Sequence, residues 1–200
     1  MLATHDLPPH PDYPKSWDSY LALWHAFDTT QLNDRILDAG GTRESVFLRS
    51  LRRLGHKALY NFNTDEKRSR TVDYGITYDR QDITDADVPD DWFRFAACLS
   101  VLEHGVDWRL FLDEMARIIA PGGHLFISVD YWETPIDCGG REAFGASVKI
   151  FAPSEIHALI EHAKNVGLTL VGDIDLRCQD PVVNWLGLDF TFFNLLFRRG

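Results

Sequence analysis

An α/β fold with a mainly parallel sheet is what this sequence predicts, and three observations predict it. Short apolar runs alternate with amphipathic stretches of about 10–15 residues, the pattern of βαβ units. Glycine or proline closes these segments in turn, at Gly40-Gly41, Gly55, Pro121-Gly122-Gly123 and Gly167. The chain of 200 residues, 45% hydrophobic and 25% charged, contains no internal repeat and suits one domain with a single core.

Each element has its own reason. Residues 1–14 carry Pro8, Pro9, Pro11 and Pro14 and read as an irregular lead-in, leaving residues 15–200 as one domain. From Ser16 to about Thr30 the apolar residues Trp17, Tyr20, Leu21, Trp24 and Phe27 recur at helical spacing and predict an inward aromatic face. Arg35 to Ala39 is a first strand, and Thr42 is placed to cap a helix with Phe47, Leu48, Leu51 and Leu54 inward. Further strands are expected at Lys57–Phe62, Ile76–Arg80, Phe93–Leu99, His124–Val129, Leu168–Ile174 and Phe190–Arg198, which makes seven. Helices fall between them: one from near Asp107, with Leu110, Phe111, Met115, Ile118 and Ile119 inward, and one starting at Pro153.

Charge and cysteines narrow the classes of function. The net charge is −10, with no block of Lys and Arg, so a nucleic-acid footprint is not expected. The three cysteines, Cys98, Cys138 and Cys178, are scattered and form neither a disulfide framework nor a metal site. The first residues lack the basic and apolar regions of a signal peptide and no run of about 20 apolar residues occurs, so neither a leader nor a membrane span is expected. These features predict a cytoplasmic protein that meets a small molecule rather than a membrane.

In open α/β sheets ligands bind beyond the carboxyl ends of the strands. The first strand ends in Asp38-Ala39-Gly40-Gly41-Thr42, where glycines admit a ligand to the backbone and a following helix favours negative charge. Asn61 and Asn63 end the second strand about 20 residues on, where a ribose partner is expected. Asp82-Ile83 follows the third strand, where a side chain and an amide can read an adenine edge. The fourth strand ends in Leu99-Ser100-Val101-Leu102-Glu103-His104. His104 is the candidate base, because its ordinary pKa lies near neutrality.

These residues, with Phe111 to Leu125 and its Pro121-Gly122-Gly123 stop, resemble the class I S-adenosylmethionine-dependent methyltransferases of the small-molecule branch, over about residues 33–175. The resemblance implies a Rossmann-like sheet with helices on both faces and an antiparallel last strand. It implies that Asp38 to Thr42 cradle the methionine part of S-adenosylmethionine, that Asn61 or Asn63 meets the ribose and Asp82 and Ile83 the adenine, and that Ser100 lies beneath the sulfonium. His104, Asp130 and Tyr131 then face the acceptor, a small molecule such as a sugar or secondary metabolite. The aromatic helix, with Trp24, is expected to close over that crevice as a lid. No metal is implied, and the protein is expected as a monomer or homodimer. Thr42 and Glu44 stand where the family's later loop glycines fall, which keeps open a non-catalytic binding or regulatory role on the same fold. A nicotinamide enzyme would need Gly-x-Gly-x-x-Gly, which Gly40-Gly41-Thr42-Arg43-Glu44-Ser45 does not supply.

Overall fold

The computed structural model describes residues 13–67 and 69–200; residues 1–12 of the expected lead-in lie outside them. In chain order the elements are α1 (Ser16–Thr29), β1 (Arg35–Ala39), α2 (Val46–Arg53), β2 (Ala58–Phe62), β3 (Arg70–Asp73), β4 (Ile76–Asp79) and β5 (Phe93–Leu99). There follow α3 (Trp108–Ile118), β6 (Ile119–Tyr131), a hairpin of β7 (Glu142–Ala143) and β8 (Ala146–Ser147), α4 (Pro153–Asn165), β9 (Leu168–Leu170), β10 (Val183–Trp185) and β11 (Leu188–Arg199). One sheet runs β10-β11-β6-β5-β1-β2-β4-β3, with β9 also paired to β11, so it has nine strands where seven were expected. The additions are β3 and β10, short edge strands whose few apolar residues give no alternation to read.

The middle of the sheet, β4-β2-β1-β5-β6, is parallel, and β11 closes it antiparallel to β6. From β1 the chain goes to β2 on one side and returns to β5 on the other. That reversal opens a crevice between the ends of β1 and β5, the switch point where open sheets bind ligands.

Side chains alternate across the sheet and divide the core into two layers. Ile36, Phe95 and Ala97 pack under α1 and α2, while Leu37, Ala96 and Cys98 pack under α3 and α4. On α2 the buried apolar residues are Val46, Phe47, Leu48 and Leu51, each contributing about 1.5–3 kcal/mol of transfer free energy. Its N-cap is Ser45, three residues beyond the expected Thr42, and Ser45 gives its hydroxyl to Asp38 rather than to the helix. On α3 Asp107 is the cap, accepting from Arg109 N–H (2.9 Å), whereas Leu110, expected inward, is exposed.

The inward face of α1 is not the aromatic one. Ser19, Ala22, Leu23 and Ala26 are buried, and Trp17, Trp24 and Phe27 are 66%, 54% and 42% exposed. Small side chains let the helix backbone approach β5 and β6 closely, and large rings have no room on that side. Helix α1 is thus packed as a wall, with Lys15, Asp18 and Ser19 at its cavity end. All three cysteines are free. Among the described residues no helix is long and apolar enough to cross a membrane.

Candidate active site

The carboxyl ends of β1, β2, β4 and β5 surround a cavity of about 560 Å³, a volume usual for small-molecule sites. Its base is the turn Asp38-Ala39-Gly40-Gly41-Thr42. Gly40 sits at φ +83, and a methyl group there would lie 2.5 Å from Val101 Cγ1; a methyl on Gly41 would strike the Asp38 carboxylate. Both positions therefore require glycine.

The turn is held from below. Asn61 Nδ2 donates to Gly41 O (2.9 Å), and Asn63 Nδ2 donates to Gly40 O and Gly41 O (3.2 and 3.0 Å). Gly40 N–H donates to Phe62 O (2.8 Å). Asp38 is buried; its Oδ2 accepts from the Ser45 hydroxyl (2.7 Å), while Oδ1 has no hydrogen-bond partner. Burial pushes its carboxyl up to about 6, with Ser45 opposing. Thr42 is exposed at the rim, its hydroxyl accepting from Glu44 N–H (3.3 Å), and Glu44 lies outside the cavity.

At the end of β5, Ser100 adopts φ +52, uncommon for a residue other than glycine. Its N–H donates to Ser128 O and Oγ (3.1 and 3.2 Å), and its own hydroxyl is buried without a partner. Ser128 in turn donates to Asp18 Oδ2 (2.7 Å), which fastens α1 to the same point. His104 lines the cavity, and its imidazole is held below its ordinary pKa by burial and by Lys15. Behind it Glu103 is fully buried, with no side-chain hydrogen bond to its carboxylate. Burial, together with Asp130, raises its pKa well above the usual carboxylate range.

Of the residues singled out from sequence, Asp38, Gly40, Gly41, Thr42, Asn63, Asp82, Ile83, Ser100 and His104 line this one cavity. The remainder do not. Ala39 is packed in the core below α3, and Asn61 is fully buried, holding the turn rather than facing a ligand. Asp130 and Tyr131 were expected to face the acceptor. Strand β6 instead continues through both, pairing them with Phe192 and Thr191, so their side chains are buried. The Tyr131 hydroxyl donates to Leu176 O (2.6 Å), and burial pushes its pKa up to about 12. Trp24 lies on the outer face of α1, away from the cavity.

Sequence reasoning missed Lys15, Asp18, Asp65, Asp107 and Phe144, all of which line the cavity. Asp65 had a signal, since it stands two residues past Asn63, whose Oδ1 accepts its N–H (2.8 Å). Asp18 had none, because reading α1 by its aromatic stripe placed it on the solvent side.

Comparison with known proteins agrees with this geometry. A family described as a methyltransferase domain matches residues 12–171. An S-adenosylmethionine-dependent methyltransferase from Mesorhizobium loti superposes with a TM-score of 0.63 at 18% identity, over 91% of this chain and 98% of that one. Geranyl diphosphate C-methyltransferase from Streptomyces coelicolor A3(2), solved with Mg2+, geranyl diphosphate and S-adenosyl-L-homocysteine, gives 0.69 at 15%, over 96% and 84%. The 1,6-didemethyltoxoflavin-N1-methyltransferase of Burkholderia thailandensis, solved with bound 1,6-didemethyltoxoflavin and S-adenosylhomocysteine, gives 0.65 at 16%, over 94% and 79%. No curated protein matches the sequence. The match over residues 12–171 and the shared class I sheet assign this chain to the methyltransferase domain family.

Proposed function

We propose that this protein is an S-adenosylmethionine-dependent methyltransferase acting on a small-molecule acceptor, with His104 as the base for a hydroxyl. One observation carries the reading: a single cavity is lined by the Asp38–Gly41 turn, Asp82-Ile83 and Ser100 and also by His104. The residues present fit the cofactor. The glycine turn leaves backbone where side chains would intrude, and the unpartnered Asp38 Oδ1 and Ser100 Oγ are polar atoms left for a ligand. Asp18, Asp38, Asp65, Asp82 and Asp107 line the cavity against one cation, Lys15, a balance that favours a cationic ligand.

Bound S-adenosylmethionine supplies an electrophilic methyl group and leaves as a thioether. Asp38 and the Gly40-Gly41 turn hold its methionine part, Asp65 and Asn63 offer oxygens toward the ribose, and Asp82 and Ile83 flank the adenine. The imidazole of His104, neutral at pH 7, accepts the proton of the acceptor hydroxyl. Positioning the acceptor beside the methyl group accounts for most of the acceleration. Of Thr42 and Glu44, which raised the alternative of a non-catalytic partner, Glu44 lies outside the cavity and Thr42 lines only its exposed rim, its hydroxyl accepting from Glu44 N–H, which leaves room for the cofactor reading.

Calorimetric titration with S-adenosylmethionine and S-adenosylhomocysteine tests the proposal. Saturable one-to-one binding is expected. The absence of both heat and a thermal shift at millimolar cofactor would overturn it.

A further inference from the structure

The hairpin β7–β8 turns through Phe144 and Gly145, at φ +53 and +78. Such two-residue turns favour Asn-Gly, and a bulky ring at positive φ is strained. Phe144 is also 84% exposed, although it lines the cavity. Neither backbone preference nor burial within the protein accounts for a phenylalanine at this tip.

Its surroundings supply a reason. The Phe144 ring meets the His104 imidazole edge-to-face at 5.0 Å, and Trp185 of β10 meets the same imidazole at 6.0 Å. Phe144 and Trp185 lie within 19° of parallel, 6.5 Å apart. Arg141 fixes the hairpin to the β10 turn by donating from Nε to Leu186 O (2.9 Å). Lys149 N–H donates to Glu103 O (3.0 Å), which ties the hairpin's outgoing strand to the residue before His104. Two indole and phenyl faces are thus held in place around the candidate base.

Polarity and shape select the occupant. Beside the hairpin, Gly105, which lies against Ala146, and Phe144 itself offer no side-chain hydrogen bonds to a polyol. A flat ring gains the exposed face of Phe144 and needs one polar partner, which His104 provides. Resting on the methyltransferase reading, the geometry points to a planar aromatic acceptor, stacked on Phe144 beside Trp185 with its ring hydroxyl at His104.

Titration with 2-naphthol, with and without saturating S-adenosylhomocysteine, tests this in the wild type, Phe144→Gly, Phe144→Tyr and Trp185→Ala. Binding should be saturable and weakened about tenfold by Phe144→Gly or Trp185→Ala, and kept by Phe144→Tyr. Phe144→Gly relieves the positive φ, so its melting temperature should hold or rise, which separates lost binding from misfolding. The inference falls if cyclohexanol or choline binds as well as naphthol, or if Phe144→Gly binds naphthol like the wild type. Phe144-dependent naphthol binding without any affinity for S-adenosylhomocysteine would keep the aromatic site and overturn the methyltransferase reading. Binding of S-adenosylhomocysteine without naphthol would do the reverse.

Discussion

The half of the cavity under β1 and β2 is held by hydrogen bonds from the side-chain amides of Asn61 and Asn63, whereas the half beside His104 is held by ring contacts, one arginine and the Lys149 N–H. In the first half Asn61, Asn63 and the Phe62 carbonyl fix the Gly40-Gly41 turn from β2 and the residue just past it, beside β1 in the parallel sheet, while Ser45 at the start of α2 holds Asp38. In the second half Phe144 and Trp185 come from a two-residue turn and a three-residue edge strand. A turn braced by a sheet leaves little freedom in what it binds. A hairpin of four paired residues can change its side chains without disturbing the core. On the function proposed above, cofactor recognition falls to the first half and acceptor choice to the second.

If the halves act separately, His104→Ala should give the largest effect. A loss of roughly 10²–10⁴-fold in kcat on a hydroxyl acceptor is expected, with S-adenosylhomocysteine affinity unchanged. Cofactor affinity falling in step with kcat would break the division.

Asp38→Asn sharpens the other half. The folded pKa, about 6, lies above the ordinary 3.8, so the proton is held more tightly in the folded state. The stability it contributes is complete below pH 4 and is lost as pH rises through 6, a difference of about 3 kcal/mol. The ligand-free Asn variant should therefore gain up to about 3 kcal/mol over the wild type at pH 8 and much less at pH 4, measured by denaturant melts. Wild-type affinity for S-adenosylmethionine should fall between pH 7 and pH 5 as Asp38 is protonated, and the variant should bind weakly at both. An equal stability difference at pH 4 and pH 8 would show that burial of the charge is not the cause.

Gly41→Ala comes next, at roughly 2 kcal/mol of lost stability with lost cofactor binding, because its methyl group strikes the Asp38 carboxylate. Naphthol affinity should survive this change. Ser128→Ala should show the smallest effect, about 1 kcal/mol, since it removes one hydrogen bond to Asp18 and one from Ser100 N–H. Faster amide exchange at Ser100, without change on β2, would place that latch at the junction of the halves.

Much of this was legible along the chain. Strand β1 was read at its observed bounds because five apolar-rich residues stop at a glycine pair, and β5 because seven stop at Ser100. Helical spacing from Pro153 puts Ile156, Leu159, Ile160 and Ala163 of α4 inward, and three of them are buried, with Ile160 half-buried. Helix α1 was read with the wrong face inward: its aromatic stripe and its small-residue stripe share one period, and only the distance to the sheet selects between them. Asp130 and Tyr131 looked like a loop because polar and aromatic residues follow an apolar run; pairing with β11 carries the strand through them.

By itself the sequence determined the order of elements and which residue types stand at the strand ends, since periodicity and glycine placement are local properties. That was enough to bring Asp38, the glycine pair, Asp82, Ser100 and His104 to one crevice, because a parallel sheet puts all its strand ends on one side. Tertiary structure decided where each side chain points. Asn61 turned under the glycine loop, Trp24 outward, Tyr131 into the core and Phe144 onto the cavity. Those directions depend on neighbours distant in sequence, and spacing along the chain carries no record of them.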